Sequence, residues 1–272
     1  VSDAEPATAA WLEFRDKWFE SEPDARVAQL FFPALRELRI QTLLTLEHEF
    51  AATAFAASDA DVALAKLGWW AEELHGLSAA APRHPLSGLL DAGAASELAR
   101  AAAAAGRIAA LESVAQSTEL IGLTAAMTAP FTQVLARQCG EPEPGPAQIE
   151  ALAAVRVVRE LARWRRFVAP GRARVPLDLL ARHRLTRGEL AADSPSRSVA
   201  RLAEDLLDTL IEALADAGRA CGVNAARLAA GRVLAAAMRR QSADVIADRF
   251  VAPHWRSVWA LWRVARAQRG RA

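Results

Sequence analysis

The stretch Thr42–Leu90 constrains the fold of this chain more than any other. An apolar run through Leu43, Leu44, Leu46 and Phe50 recurs at helical spacing, and a second helical segment carries Lys66, Leu67, Trp69, Trp70 and Glu73. Ser58 stands where an N-cap belongs, with Asp61 three residues on to complement the helix dipole, and Gly76 marks the stop. A turn then leads back in at His84-Pro85-Leu86. Two helices in series joined to a re-entrant turn predict a helical wall. Elsewhere Val, Ile and Thr never alternate with polar residues over a useful length, so no strand is expected.

The same periodicity extends along the chain. Ala7–Glu20 places Trp11, Phe14, Trp18 and Phe19 on one face, and Ser21-Glu22-Pro23 ends it. Ala94–Ala105 is rich in alanine, which predicts close helix packing. Glu119–Gln138 forms a long apolar helix through Pro130, and a strong helix spans Ala147–Val168. Three more complete the chain at Ser196–Cys221, Asn224–Gln241 and Pro253–Gln268. An apolar fraction of 53% gives ample core, and no linker divides it, so residues 25–272 are expected to form one domain preceded by an N-terminal tail and helix over 1–24. Cys139 and Cys221 supply neither a disulfide framework nor zinc spacing, which fits a reducing compartment. Without a signal-peptide pattern or a transmembrane run, a cytoplasmic position is expected, with a peripheral one at the inner membrane surface open.

Several segments together resemble the squalene/phytoene synthase family. Lys66-Leu67-Gly68-Trp69-Trp70-Ala71-Glu72-Glu73-Leu74 followed by His84-Pro85-Leu86 is similar to that family's Leu-x-x-Trp-Arg-Glu-Glu-Leu and His-Pro-Leu. The run from Gly171-Arg172-Ala173-Arg174-Val175-Pro176 to Leu185-Thr186 is similar to its Gly-Arg-x-Tyr-Leu-Pro-x-Asp-x-Leu-x-x-x-Gly-Leu-Thr block. The resemblance implies an all-α, single-domain isoprenoid synthase (terpenoid synthase-like) fold around a central cavity. It also implies prenyl transfer, with two aspartate-rich motifs holding Mg²⁺ against a substrate diphosphate.

The sequence departs from the family at both motifs. The first falls on Ala51-Ala52-Thr53-Ala54-Phe55, and no aspartate occurs between Asp91 and Asp178 to supply the second. In the second motif's place stand Arg156, Arg159, Arg163 and Arg166 at 3-4-3 spacing, which predicts one cationic helix face. That face is either solvated, beside Glu160, or an anion site for a diphosphate, a phospholipid headgroup or an acidic partner, with Arg172 and Arg174 as further candidates. A shorter likeness, Leu43–Phe50, is to a branch of the family without the aspartates that includes a mitochondrial respiratory complex I assembly factor.

No residue is nominated as catalytic. Phe50, Phe55, Trp70, Met127 and Phe131 are candidates to line an isoprenoid cavity. Asp205, Asp208 and Glu212 form an acidic ridge that is either solvated or a displaced metal site, and Glu47 and Glu49 are the other carboxylates available for one. His84 is expected to fix the turn at Pro85. Trp255, Trp259 and Trp262, with Arg256, Arg263, Arg266 and Arg269, make the last helix amphipathic, either packed on the core or laid on an anionic membrane. The leading expectation is a non-catalytic member of the fold that binds an isoprenoid, a lipid or a protein and needs no cofactor. An active prenyl transferase using Mg²⁺ through relocated ligands, and a membrane-surface assembly factor, are the alternatives. No motif supports nucleic-acid binding.

Overall fold

The computed structural model describes residues 4–57, 59–77, 82–169, 174–192 and 195–269, and among these there is no strand. The chain runs α1 (Ala4–Ser21), α2 (Pro23–Ala28), α3 (Leu38–Ala56), α4 (Ala60–Gly76), α5 (Ala95–Ala110), α6 (Ser117–Gln138) and α7 (Pro146–Leu161). It continues through the short α8 (Trp164–Phe167), α9 (Leu177–His183) and α10 (Arg187–Leu190) to α11 (Arg197–Ala215), α12 (Gly222–Arg240), α13 (Ser242–Ile246) and α14 (His254–Arg269). No described helix is long and apolar enough to cross a membrane.

Two helices sit at the centre. Fifteen of the 19 residues of α3 are buried, so α3 is enclosed on every side instead of presenting one face to solvent. It meets α1, α4, α5, α6, α7 and α8. In α7 every residue from Ala151 to Leu161 is buried, among α3, α6, α11 and α12. The alanines of α5 do what small residues at contact positions allow: Ala101, Ala102, Ala105 and Ala109 are buried where α5 lies between α4 and α6. The N-terminal helix shares this core. Trp11, Trp18 and Phe19 are buried, and the Trp11 indole N–H donates to Thr42 Oγ1 of α3 at 3.2 Å.

Local signals set most ends. Pro23 closes α1 and opens α2, because a first helical turn needs no N–H from that residue. Asp59 caps α4, accepting from the N–H groups of Asp61 and Val62; the expected cap, Ser58, lies outside the described residues. The helix expected over 147–168 instead stops at Leu161, since Arg163 leaves the helical region (φ −114°, ψ 61°) and α8 restarts at Trp164. Neither Pro nor Gly marks that break. The Trp164 indole N–H is committed to the carbonyl of Leu190, a tertiary contact with no local signature.

One glycine fixes how close the central helices come. A Cβ on Gly231 of α12 would run into the methyl groups of Val155 on α7. Helix propensity alone would make Gly231→Ala stabilising by about 1 kcal/mol. Overpacking of this kind costs about 1–3 kcal/mol, so the substitution should lower stability in urea melts, and adding Val155→Ala should restore part of the loss. A net gain from Gly231→Ala alone would mean that α7 and α12 do not touch there.

Candidate functional site

Where α2, α3, α7 and α12 converge, three carboxylates meet three guanidinium groups. Glu22 stands at the joint between α1 and α2, turned inward by the stop at Pro23. Its Oε1 accepts from Arg156 Nη1 at 2.6 Å, and its Oε2 lies 3.1 Å from Arg159 Nη1. Asp24, in the first turn of α2, takes Arg159 in a bidentate grip, with Nη1 to Oδ1 at 3.0 Å and Nη2 to Oδ2 at 2.6 Å. On the α3 side, Arg227 Nη2 donates to both oxygens of the fully buried Glu47, at 2.6 and 2.7 Å. His48 Nδ1 lies 3.5 Å from Glu22 Oε1.

Burial alone would raise the Glu22 pKa, but Arg156 and Arg159 outweigh it and hold the group well below the usual carboxylate range. Arg156 and Arg159 are correspondingly pushed up by Glu22, Asp24 and Glu47 against the opposing effect of burial. Within the cluster each buried guanidinium is thus met by a carboxylate. The enclosed space beside it, bordered by Trp18, Leu44, Val155 and Arg227, is about 30 Å³, room for about one water.

The arginine face expected on α7 divides here. Arg156 and Arg159 are 4% and 9% exposed, so the solvated-face alternative does not hold for them; a buried guanidinium needs a carboxylate, and Glu22 and Asp24 supply it. Arg163, half-buried beyond the end of α7, borders an open cleft of about 310 Å³ with Asp24, Phe250 and His254. Arg166 is exposed and borders a groove of about 440 Å³ with Glu49, Thr53, Asp59 and Lys66. The break at Arg163 is why the four do not share a face. Arg174 is buried, donating Nη1 to the carbonyl of Phe55 at 2.9 Å with its guanidinium 5.5 Å from the Phe55 ring. Arg172 lies outside the described residues.

The five cavity candidates are buried, and three of them pack on one another. Phe50 meets Trp70 and Phe131 edge-on, with centroids 5.8 and 5.5 Å apart, and Phe55 stacks on Phe167. Phe50, Met127 and Phe131 have 0% of their surface open to water, Phe55 and Trp70 2%.

The two segments of the resemblance that precede α5 hold this wall together. Glu73 of α4 accepts from the N–H groups of Arg83 and His84, from Arg83 Nε and from the Ser87 hydroxyl. His84 packs its ring 4.5 Å from Trp70, and its Nδ1 accepts from the Leu86 N–H. Burial lowers the pKa of His84. This histidine fixes a turn.

No family profile matches the sequence, and no curated protein matches it. Among solved structures, a dehydrosqualene synthase in complex with ligand is similar over 98% of this chain and 99% of its own, with a TM-score of 0.68 at 13% identity. A squalene synthase, HpnC from Alicyclobacillus acidocaldarius, is similar over 85% of this chain and 96% of its own, with a TM-score of 0.55 at 18% identity. The chain has the isoprenoid synthase fold.

The magnesium that the resemblance implies does not fit the donors present. In the last turns of α3, Ala51-Ala52-Thr53-Ala54-Phe55 offers no carboxylate, and nearby Glu49 is held by Lys66 at 3.1 Å. Glu47 and Glu22 each face an arginine, so a divalent cation placed there would lie against guanidinium charge. On the acidic ridge, Asp205 is taken by Arg182 and His183, and Asp208 by Arg239 at 2.6 Å. Among the described residues no three His, Cys, Asp or Glu side chains could share a metal ion.

Sequence reasoning found the arginines and missed their partners. Glu22 and Asp24 stand 134 and 135 residues from Arg156 and Arg159 and read locally as a helix stop and a first-turn acid. One signal was present: Ala151–Val155, just before the arginines, is an unbroken apolar run longer than one helical turn, as in a helix enclosed on all sides.

Proposed function

We propose that the protein is a non-catalytic relative of the squalene/phytoene synthases, which keeps their helical walls and works by binding a partner. The observation that carries this is the buried Glu22–Arg156–Arg159–Asp24 cluster, in which arginines on the central α7 are already neutralised by the chain's own carboxylates. Ionising an allylic diphosphate calls for cationic charge free to meet the leaving group, and these guanidiniums are committed elsewhere. A cysteine nucleophile has no better footing, since burial pushes the Cys139 thiol up to about 12 and raises that of Cys221 as well.

On this reading the partner is a protein or a lipid met at the surface. The open grooves beside Arg163 and Arg166 are the places where an isoprenoid or lipid headgroup would enter. The reading takes no cofactor, no nucleic acid and a cytoplasmic setting.

The rival is a working prenyl transferase, and the likeness to two synthases favours it. Incubation with farnesyl or geranylgeranyl diphosphate and Mg²⁺ separates them. Diphosphate release should not exceed that of protein-free buffer; release that requires both protein and Mg²⁺ would return the chain to the enzymes.

A further inference from the structure

Helix α14 has two apolar faces, and the core uses only one. Ser257, Leu261 and Ala265 are buried where α14 packs on α12 and α2. Further round the helix stand Trp255, Trp259 and Trp262, which are 69%, 55% and 36% exposed. Trp259 and Trp262 stack on each other at 4.8 Å, and with Phe31 and Val258 the three indoles line a shallow apolar groove of about 390 Å³. Of the ten large apolar side chains exposed among the described residues, five lie between Val251 and Trp262, so this is a patch and not scatter.

The charge along this segment has one sign. From Arg249 to Arg269 there are five arginines and no acidic residue. Arg256, Arg263, Arg266 and Arg269 are exposed, and none has a carboxylate partner among the described residues. The Arg256 guanidinium lies 5.1 Å from the Trp255 ring and that of Arg266 5.4 Å from the Trp262 ring, so cationic heads border the indoles.

The geometry points to an anionic lipid surface as the occupant of this face, with α14 lying in the interface plane. We infer that the indoles enter the headgroup layer while the arginines engage lipid phosphates. Indole is amphipathic and favours the membrane–water boundary, and a helix with aromatic residues on one face and arginines beside it binds anionic bilayers through both terms. A second copy of the chain suits the face less well, because a two-fold seam would set four arginines against four with no carboxylate between them. The inference stands whether or not the protein turns over a substrate.

Flotation of the whole chain with phosphatidylcholine vesicles, with and without phosphatidylglycerol, tests it. The protein should float with the phosphatidylglycerol vesicles at low salt, remain behind with pure phosphatidylcholine, and detach as salt is raised. Each arginine near an anionic leaflet is worth about fivefold, so Arg256→Gln with Arg263→Gln should weaken partitioning about thirtyfold. Trp255→Ser with Trp259→Ser should abolish flotation and leave the thermal melt unchanged, because both side chains are exposed. The inference is overturned by failure of the unaltered chain to float with phosphatidylglycerol vesicles at low salt. Flotation indifferent to the tryptophan substitutions overturns it as well. If those substitutions instead dissolve a dimer while flotation is unaffected, the face belongs to a second copy.

Discussion

Replacing Glu22 with alanine should lower the unfolding free energy by about 3–5 kcal/mol, the cost of leaving a buried charge without its partner. Glu22 is 5% exposed and is the one carboxylate bonded to Arg156, itself 4% exposed. Arg156 Nε has no hydrogen-bond partner even in the intact cluster, so losing Glu22 leaves the guanidinium with little to offset its desolvation. Arg159 keeps Asp24 and should suffer less. At about 2–4 °C per kcal/mol for a chain of this size, the melting temperature should fall by roughly 10 °C. Removing both charges, as Glu22→Leu with Arg156→Met, should recover most of the loss, since a buried ion pair is often no better than apolar packing of the same volume. A loss below about 1 kcal/mol for Glu22→Ala, the range of an exposed pair, would place the cluster in water.

The same residue gives stability a pH dependence of definite sign. The folded pKa of Glu22 lies well below the unfolded value of 4.5, so its contribution is complete above that value and is lost as pH falls through the folded one. Glu73 works in the same direction: burial raises it, but the Ser87 hydroxyl, Arg83 and the His84 N–H together bring it below its ordinary value. Melts of the unaltered chain should therefore weaken steeply below pH ~4, and the slope should be shallower in Glu22→Ala.

How much of this was legible in the sequence depends on the range over which each residue acts. Helix periodicity is local, so α1, α6, α12 and α14 could be read to within a few residues, and Pro23 and Gly76 marked ends that the chain uses; α5 instead runs on through Gly106 to Ala110, and α11 stops at Ala215, short of the expected Cys221. The Trp70, Glu73 and His84-Pro85-Leu86 pattern carried the fold because those residues bind one another over 10 to 14 positions. The break at Arg163 and the pairing of Glu22 with Arg156 depend on contacts 26 and 134 residues apart, which no local pattern encodes. The α7 arginines thus had an open reading, a cationic face or a solvated one. Of the four, the two that lie within α7 turned out to be the interior side of an ion-pair cluster.

Phe50→Ala should be about as costly as the loss of Glu22, for an apolar reason, and it tests whether the interior is packing or pocket. Phe50 has no surface open to water and meets Trp70 and Phe131 in edge-to-face pairs. Truncating such a ring forfeits its transfer free energy and leaves a cavity that the rigid neighbours fill only in part, about 3–5 kcal/mol in all. Edge-to-face pairing adds about 0.5–1.5 kcal/mol per contact. In urea the midpoint should drop with an unchanged slope, because the surface exposed on unfolding hardly alters. The new space would be apolar and dry, so the variant should take up benzene or xenon where the unaltered chain does not. Were the interior a prenyl site instead, the Phe50 ring would border open volume. Its removal would then cost well under 2 kcal/mol, and the unaltered chain would already bind farnesol. That pair of results would reopen the cavity and, with it, the case for a substrate.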